Sequence, residues 1–178
     1  NWGIDPLGDI TDDAGEGGVA PTVRPHDVLA AGFPCQPFSK SGAQKGMDEV
    51  RGTLYFNILQ VVHRHHPTVL LLENVRNLAG PRHRHEWEVI VRTLREEGYR
   101  VADTPAILSP HQLGPERGGR PQGRERVFIT ATHDPEGLGG PAPAPVARSR
   151  ELYGEGAVGW SIESVLSDDV EGYGLTPD

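Results

Sequence analysis

Apolar positions along the chain fall into short continuous runs separated by spaced stripes. Asp27-Val28-Leu29-Ala30-Ala31-Gly32 is a run of the length that fills a buried strand, and Gly15-Glu16-Gly17-Gly18 ahead of it reads as an exposed loop. From Thr53 the pattern changes: Leu54, Ile58, Val61 and Val62 recur at spacings of three and four, which predicts a helix that ends at His63-Arg64-His65-His66 because Pro67 cannot continue it. Thr68 to Leu72 is a second buried strand. Trp87, Ile90, Val91 and Leu94 mark another helical face closed by Gly98, followed by an extended segment from Tyr99 to about Leu108. Arg126-Val127-Phe128-Ile129-Thr130-Ala131 gives a further strand. Strands alternating with helices predict an α/β fold with a mostly parallel, doubly wound sheet. Residues 134–147, rich in Pro, Gly and Ala, read as a linker, and 148–178 as a tail in which Trp160 to Leu166 forms a short helix.

Length bounds this picture to about one domain, since the chain has 178 residues. The longest apolar run is far shorter than the roughly 20 residues that span a bilayer, so the expectation is a soluble protein without membrane partners. Cys35 is the single cysteine, which excludes an intrachain disulfide and suits a reducing, cytoplasmic setting. The chain starts at Asn1 with no signal-peptide pattern and reads as a segment of something longer. Its formal net charge is −8, but residues 1–50 sum to −5 and 127–178 to −7, while the arginine-rich stretch 76–126 sums to +3. An acidic chain argues against a nonspecific nucleic-acid coat, which needs broad positive charge, and leaves room for a local cleft.

In open α/β sheets ligands bind beyond the carboxyl ends of strands, and two of those ends carry reactive groups. After the first strand comes Gly32-Phe33-Pro34-Cys35-Gln36-Pro37-Phe38-Ser39, a proline-braced loop that would hold Cys35 at the sheet's edge. After the second comes Glu73-Asn74-Val75, which sets a candidate proton donor where an apolar run has just ended. Pro121-Gln122-Gly123-Arg124-Glu125-Arg126 leads into the last strand, and alternation would put Arg124 and Arg126 on one face. Singly these are weak signals, because a lone cysteine is most often an inert small hydrophobe. His63, His65, His66, His83 and His85 invite a metal reading, but their spacings give no clear tetrahedral set, and no metal is expected.

Taken in order, these stretches resemble the DNA cytosine-5 methyltransferases of bacterial type. The resemblance runs over roughly residues 1–133: Gly8-Asp9-Ile10-Thr11, the block at 32–39, Ser41-Gly42-Ala43-Gln44-Lys45-Gly46 into Arg51-Gly52-Thr53-Leu54, Glu73-Asn74-Val75, and Gln122-Gly123-Arg124-Glu125-Arg126. It implies a Rossmann-like S-adenosylmethionine-dependent methyltransferase fold with helices on both faces of the sheet. It further implies methyl transfer from S-adenosylmethionine to carbon 5 of a cytosine flipped out of double-stranded DNA. By that resemblance Cys35 is the nucleophile that adds to carbon 6, Glu73 bonds ring nitrogen 3, Arg126 holds the base carbonyl, and Arg124 supports the site. Gln36, Asn74 and Gln122 fix the surrounding backbone. Asp9, Pro34 and Leu54 correspond to the cofactor's adenine pocket, and Ser39 to a DNA contact just ahead of a loop at 40–52 that closes over the duplex with Ser41 and Arg51.

The family's opening Phe-x-Gly-x-Gly loop and its ribose-binding acid would precede Asn1, and its target-recognition region would follow the tail. The expectation is therefore a catalytic-domain segment that is weakly active or inactive by itself, with Pro115-Glu116-Arg117-Gly118-Gly119 as an insertion near the site. A cognate restriction endonuclease is a candidate partner, and a nucleoid-associated place in a bacterial cytoplasm is the expected location. The related transfer-RNA methyltransferases share the thiol and carboxylate chemistry, although Gly-Phe-Pro before Cys35 looks more like the DNA branch. A catalytically silent DNA-binding relative is a second alternative, against which the intact Cys35, Glu73 and Arg126 argue. A thiol protease is a distant reading, since no histidine sits in a recognisable partner motif.

Overall fold

The computed structural model describes residues 8–13, 23–35, 53–113, 119–120, 122–134, 136 and 139–142. Its helices are α1 (Ile10–Asp13), α2 (Leu54–His65) and α3 (Arg84–Glu96), and its strands are β1 (Val28–Gly32), β2 (Val69–Val75), β3 (Tyr99–Val101), β4 (Ala106–Leu108), β5 (Arg126–His133) and β6 (Gly140–Pro141). The strands form one sheet in the order β1-β2-β5-β3-β6, with β4 also paired to β5.

Each long helix starts and stops for a local reason. Thr53 caps α2, its hydroxyl oxygen accepting from the Phe56 N–H at 3.2 Å. At the other end His66 turns left-handed at φ 41° while its N–H still reaches the Val62 carbonyl, and Pro67 ends the helix. Gly98, at φ 84°, turns the chain out of α3 in a conformation that costs glycine little. The apolar stripes of both helices face the same side of the sheet. There Ile58, Leu59, Val62, Val89, Ile90 and Leu94 pack with Leu70, Leu72, Val127, Ile129 and Ala131 into one core. Deep in that core the Tyr55 hydroxyl shares a 2.8 Å hydrogen bond with Thr93, so the two helices are tied by a satisfied polar pair.

The sheet and its helices are arranged differently from the expectation. The sheet is mixed: β1 and β2 are parallel, but β5 runs antiparallel to β2, β3 and β4. Among the described residues between β4 and β5 the regular structure is a single 3-10 turn at Pro110–Gln112, and an antiparallel neighbour needs no crossover helix. Among the described residues, both long helices also lie on one face. Val28, Val69, Leu71 and Val75 are exposed on the other, so β1 and β2 alternate in burial where fully buried strands were expected.

The segment expected to be extended from Tyr99 to Leu108 is broken by a turn at Asp103-Thr104 into β3 and β4, both laid along β5. β2 runs on to Val75, so Glu73 and Asn74 lie inside the strand and not beyond it. Within the stretch read as a linker, Gly140 and Pro141 pair with Arg100 and Val101. Asp134 is buried there beneath an ion pair to Arg100 at 3.0 Å.

Candidate active site at the strand ends

Three strand ends converge. Parallel pairing sets Gly32, the last residue of β1, opposite Glu73, while the antiparallel return of β5 sets Arg126, its first residue, opposite Val75. Glu73 points away from the helices, because it alternates with the buried Leu72 and Asn74. Its Oε1 accepts from Arg126 Nε at 2.8 Å, with the two side chains 38% and 21% exposed. Its other oxygen lies against Gly32, where a Cβ would come within 3.3 Å of Oε2. A residue with a side chain at position 32 would therefore push on the carboxylate.

Cys35 follows Gly32 by one short loop and is half-buried. It packs against the helix-side core, and its Sγ lies 3.4 Å from His83 Nδ1 at the entrance to α3. Burial pushes the thiol above its ordinary range, and the negative charge of Glu86 adds to the shift. Glu86 comes from the first turn of α3; it is 3% exposed, and its Oε2 stands 3.7 Å from the same His83 nitrogen.

The remaining sequence-predicted residues divide into three groups. Asn74 is fully buried, its Oδ1 accepting from the Val75 N–H at 2.8 Å, which stiffens the strand beside Glu73. Gln122 and Arg124 are exposed and are positioned through backbone: the Arg124 N–H reaches the Gln122 carbonyl at 2.9 Å and the buried Ser109 hydroxyl at 3.1 Å. Glu125, between the two arginines, pairs with Arg76 at 2.8 Å and so anchors the approach to β5 on the turn after β2.

Of the residues expected to meet a cofactor, Asp9 heads α1 with its Oδ1 accepting from the Thr11 N–H and hydroxyl, bonds that hold its carboxyl below the usual range. The Asn57 amide of α2 donates to the Ile10 carbonyl at 3.4 Å, which sets Asp9 near the helix that Leu54 begins. Pro34 is exposed and Leu54 half-buried. Gln36, Ser39, Ser41, Arg51 and most of the 115–119 insertion lie outside the described residues, as does the tail. Among the described residues no cluster of three or more metal-ligating groups occurs; the His66 and His133 rings pack against each other with centroids 5.2 Å apart.

Residues 1–160 match the family model described as C-5 cytosine-specific DNA methylase. The chain belongs to this family. It is 63% identical over 140 residues to the Type II methyltransferase M.AluI of Cellulosimicrobium cellulans, a match covering 76% of this chain and 26% of that protein. The Type II methyltransferase M.HpaII of Haemophilus parainfluenzae is 37% identical across 78% of this chain and 36% of its own length. M.HhaI of Haemophilus parahaemolyticus is 39% identical across 72% and 36%. The matches thus span 26–36% of the length of these relatives. A solved structure of Spodoptera frugiperda DNMT2 is similar at 20% identity and a TM-score of 0.48, over 85% of this chain and 42% of that one.

Near Cys35, sequence reasoning did not single out Glu86, and it named His83 only among the histidines weighed for a metal. A signal for Glu86 was present, because it shares the helical stripe of Val89, Ile90 and Thr93 and so had to be buried.

Proposed function

We propose that the protein to which this chain belongs transfers a methyl group from S-adenosylmethionine to carbon 5 of cytosine in double-stranded DNA. The observation that carries this reading is the Glu73–Arg126 pair at the strand ends, one short loop from Cys35, in a member of the cytosine-5 methylase family. Carbon 5 of cytosine is a poor nucleophile. Addition of the Cys35 sulfur to carbon 6 moves the ring electron pair onto carbon 5, which then attacks a methyl donor; loss of the carbon 5 proton and elimination of sulfur restore the ring and the thiol.

The geometry suits both halves of that task. Sulfur has to approach carbon 6 from above the ring plane, whereas groups that bond ring nitrogen 3 and the carbonyl oxygen lie within it. Past the strand ends Cys35 lies toward the helix side and Glu73 with Arg126 toward the other, so a ring held beyond the sheet edge would meet them from those two directions. A base between them replaces the ion pair with its own contacts, nitrogen 3 to Glu73 and the carbonyl to Arg126. Such a base has to leave the duplex, since a stacked ring exposes neither face to a thiol. Ser39, Ser41 and Arg51 of the preceding loop and Arg124 are assigned to the DNA.

The residues present fit the adenine end of S-adenosylmethionine. Asp9 Oδ1 is engaged by Thr11 and the rest of its exposed carboxylate is available to an amine, while Pro34 and Leu54 offer apolar surface. When bound, the cofactor supplies an electrophilic methyl group. Type II methyltransferase relatives suggest a bacterial, cytoplasmic setting with a restriction endonuclease as partner.

The test is denaturing electrophoresis after incubation with S-adenosylmethionine and a duplex containing 5-fluorocytosine, whose fluorine blocks elimination. A covalent complex that Cys35→Ser abolishes, and that excess duplex DNA but not transfer RNA competes away, is the expected result. Absence of the complex, with the longer polypeptide as well, would overturn the reading.

A further inference from the structure

The structure assigns His83 and Glu86 to the chemistry of the thiol. We propose that His83 takes the Cys35 proton as sulfur adds to carbon 6, and that Glu86 holds the imidazolium so formed. The proposal rests on the reading of Cys35 as the nucleophile and supplies what that reading lacks, a group to receive the proton. Nδ1 of His83 is 3.4 Å from Cys35 Sγ and 3.7 Å from Glu86 Oε2, so one ring nitrogen faces both thiol and carboxylate. With the ring proton on Nε2, Nδ1 accepts from the thiol. The S–H bond breaks, its electron pair stays on sulfur to attack carbon 6, and the proton forms an N–H bond at Nδ1. Elimination later returns sulfur as thiolate, which recovers that proton. No other reactant is needed.

Two observations make the arrangement more than a chance neighbour of a lone cysteine. Glu86 Oε2 is buried and has no hydrogen-bond partner among the described residues, which is costly for a carboxylate unless a charge forms beside it. A proton on Nδ1 supplies that charge at the moment of addition. Burial and the Glu86 charge, meanwhile, disfavour a free thiolate, so Cys35 rests as a thiol that needs a base. Glu86 is the charged group beside the pair; Arg82 and Arg84 flank His83 in sequence, and Arg84 pairs with Glu88 at 2.8 Å.

Because Cys35 is the only cysteine, its alkylation by iodoacetamide reads the pair in the folded chain without DNA or cofactor. The expected result is that His83→Gln slows alkylation near neutral pH by about tenfold or more, a modest share of what general-base catalysis supplies. Glu86→Gln should slow it as well, and in urea all three proteins should react alike. Glu86→Gln discriminates by sign: if Glu86 were only a negative charge beside the thiol, neutralising it would lower the thiol's pKa and speed alkylation, which would overturn the proposal. An unchanged rate in His83→Gln would do the same. Either failure leaves the 5-fluorocytosine complex of Cys35 untouched, whereas loss of that complex with the alkylation effects intact would overturn the methyltransferase reading, and with it addition to carbon 6, while keeping His83 as the base of the thiol.

Discussion

Glu73 and Arg126 can serve a base only if their mutual attachment is weak enough to give up. At 2.8 Å the bare attraction of two unit charges is about 6 kcal/mol for an effective dielectric of about 20. The side chains are 38% and 21% exposed, however, so water screens them and repays much of what separation costs. Exposed pairs of this kind are worth roughly 1 kcal/mol or less. The perturbation is a double-mutant cycle of Glu73→Gln, Arg126→Gln and both together, followed by urea denaturation of the folded chain. The expected coupling is about 1 kcal/mol, which corresponds to roughly a fivefold penalty on binding when a base displaces the pair. A site can bear such a penalty. A coupling of about 3 kcal/mol or more, the behaviour of a buried structural pair, would refute this account of an exchangeable ion pair.

Two further outcomes check the framework that holds the site. Tyr99 is fully buried and its hydroxyl donates to the Pro67 carbonyl at 2.7 Å, joining β3 to the turn before β2; Tyr99→Phe should cost about 1–3 kcal/mol in urea unfolding, and a change below about 0.5 kcal/mol would show that the carbonyl is satisfied without it. Asp134 is held below its ordinary value of 3.8 by the Glu136 backbone N–H and by Arg100, so its contribution to stability is complete above that value and is lost as pH falls through the lower folded value. Wild type should therefore lose more stability on acidification below 3.8 than Asp134→Asn does, and parallel pH profiles of the urea midpoint would show that Asp134 is not responsible.

Apolar spacing located both long helices because each buries one stripe against one core, and it located the starts of β1, β2 and β5 because apolar runs begin there. It failed where strands are held by hydrogen bonds and not by burial. Glu73-Asn74-Val75 belongs to β2 through its ladder to Val127 and Arg126, a partnership between distant stretches that local composition does not encode. The break between β3 and β4 is similar, since Tyr99 to Leu108 keeps one register direction along β5 while Asp103 and Thr104 turn out of it. Motif order brought attention to Cys35, Glu73 and Arg126, but chain order alone does not say that the last two are bonded or that the first looks toward the helices.

That division of directions follows from the alternation of strands. Gly32 closes β1 without a side chain, which leaves room at the sheet's edge for the Glu73 carboxylate and sends the chain on toward α3, where His83 and Glu86 wait. One carboxylate, Glu73, meets a permanent cation in Arg126; the other, Glu86, is buried beside a histidine whose charge depends on a proton. The first pair suits recognition of a polar ring edge, since both partners can trade each other for the ligand. The second suits proton transfer, because Glu86, buried with no fixed cation beside it among the described residues, makes the site favour a positive charge only when the thiol gives one up.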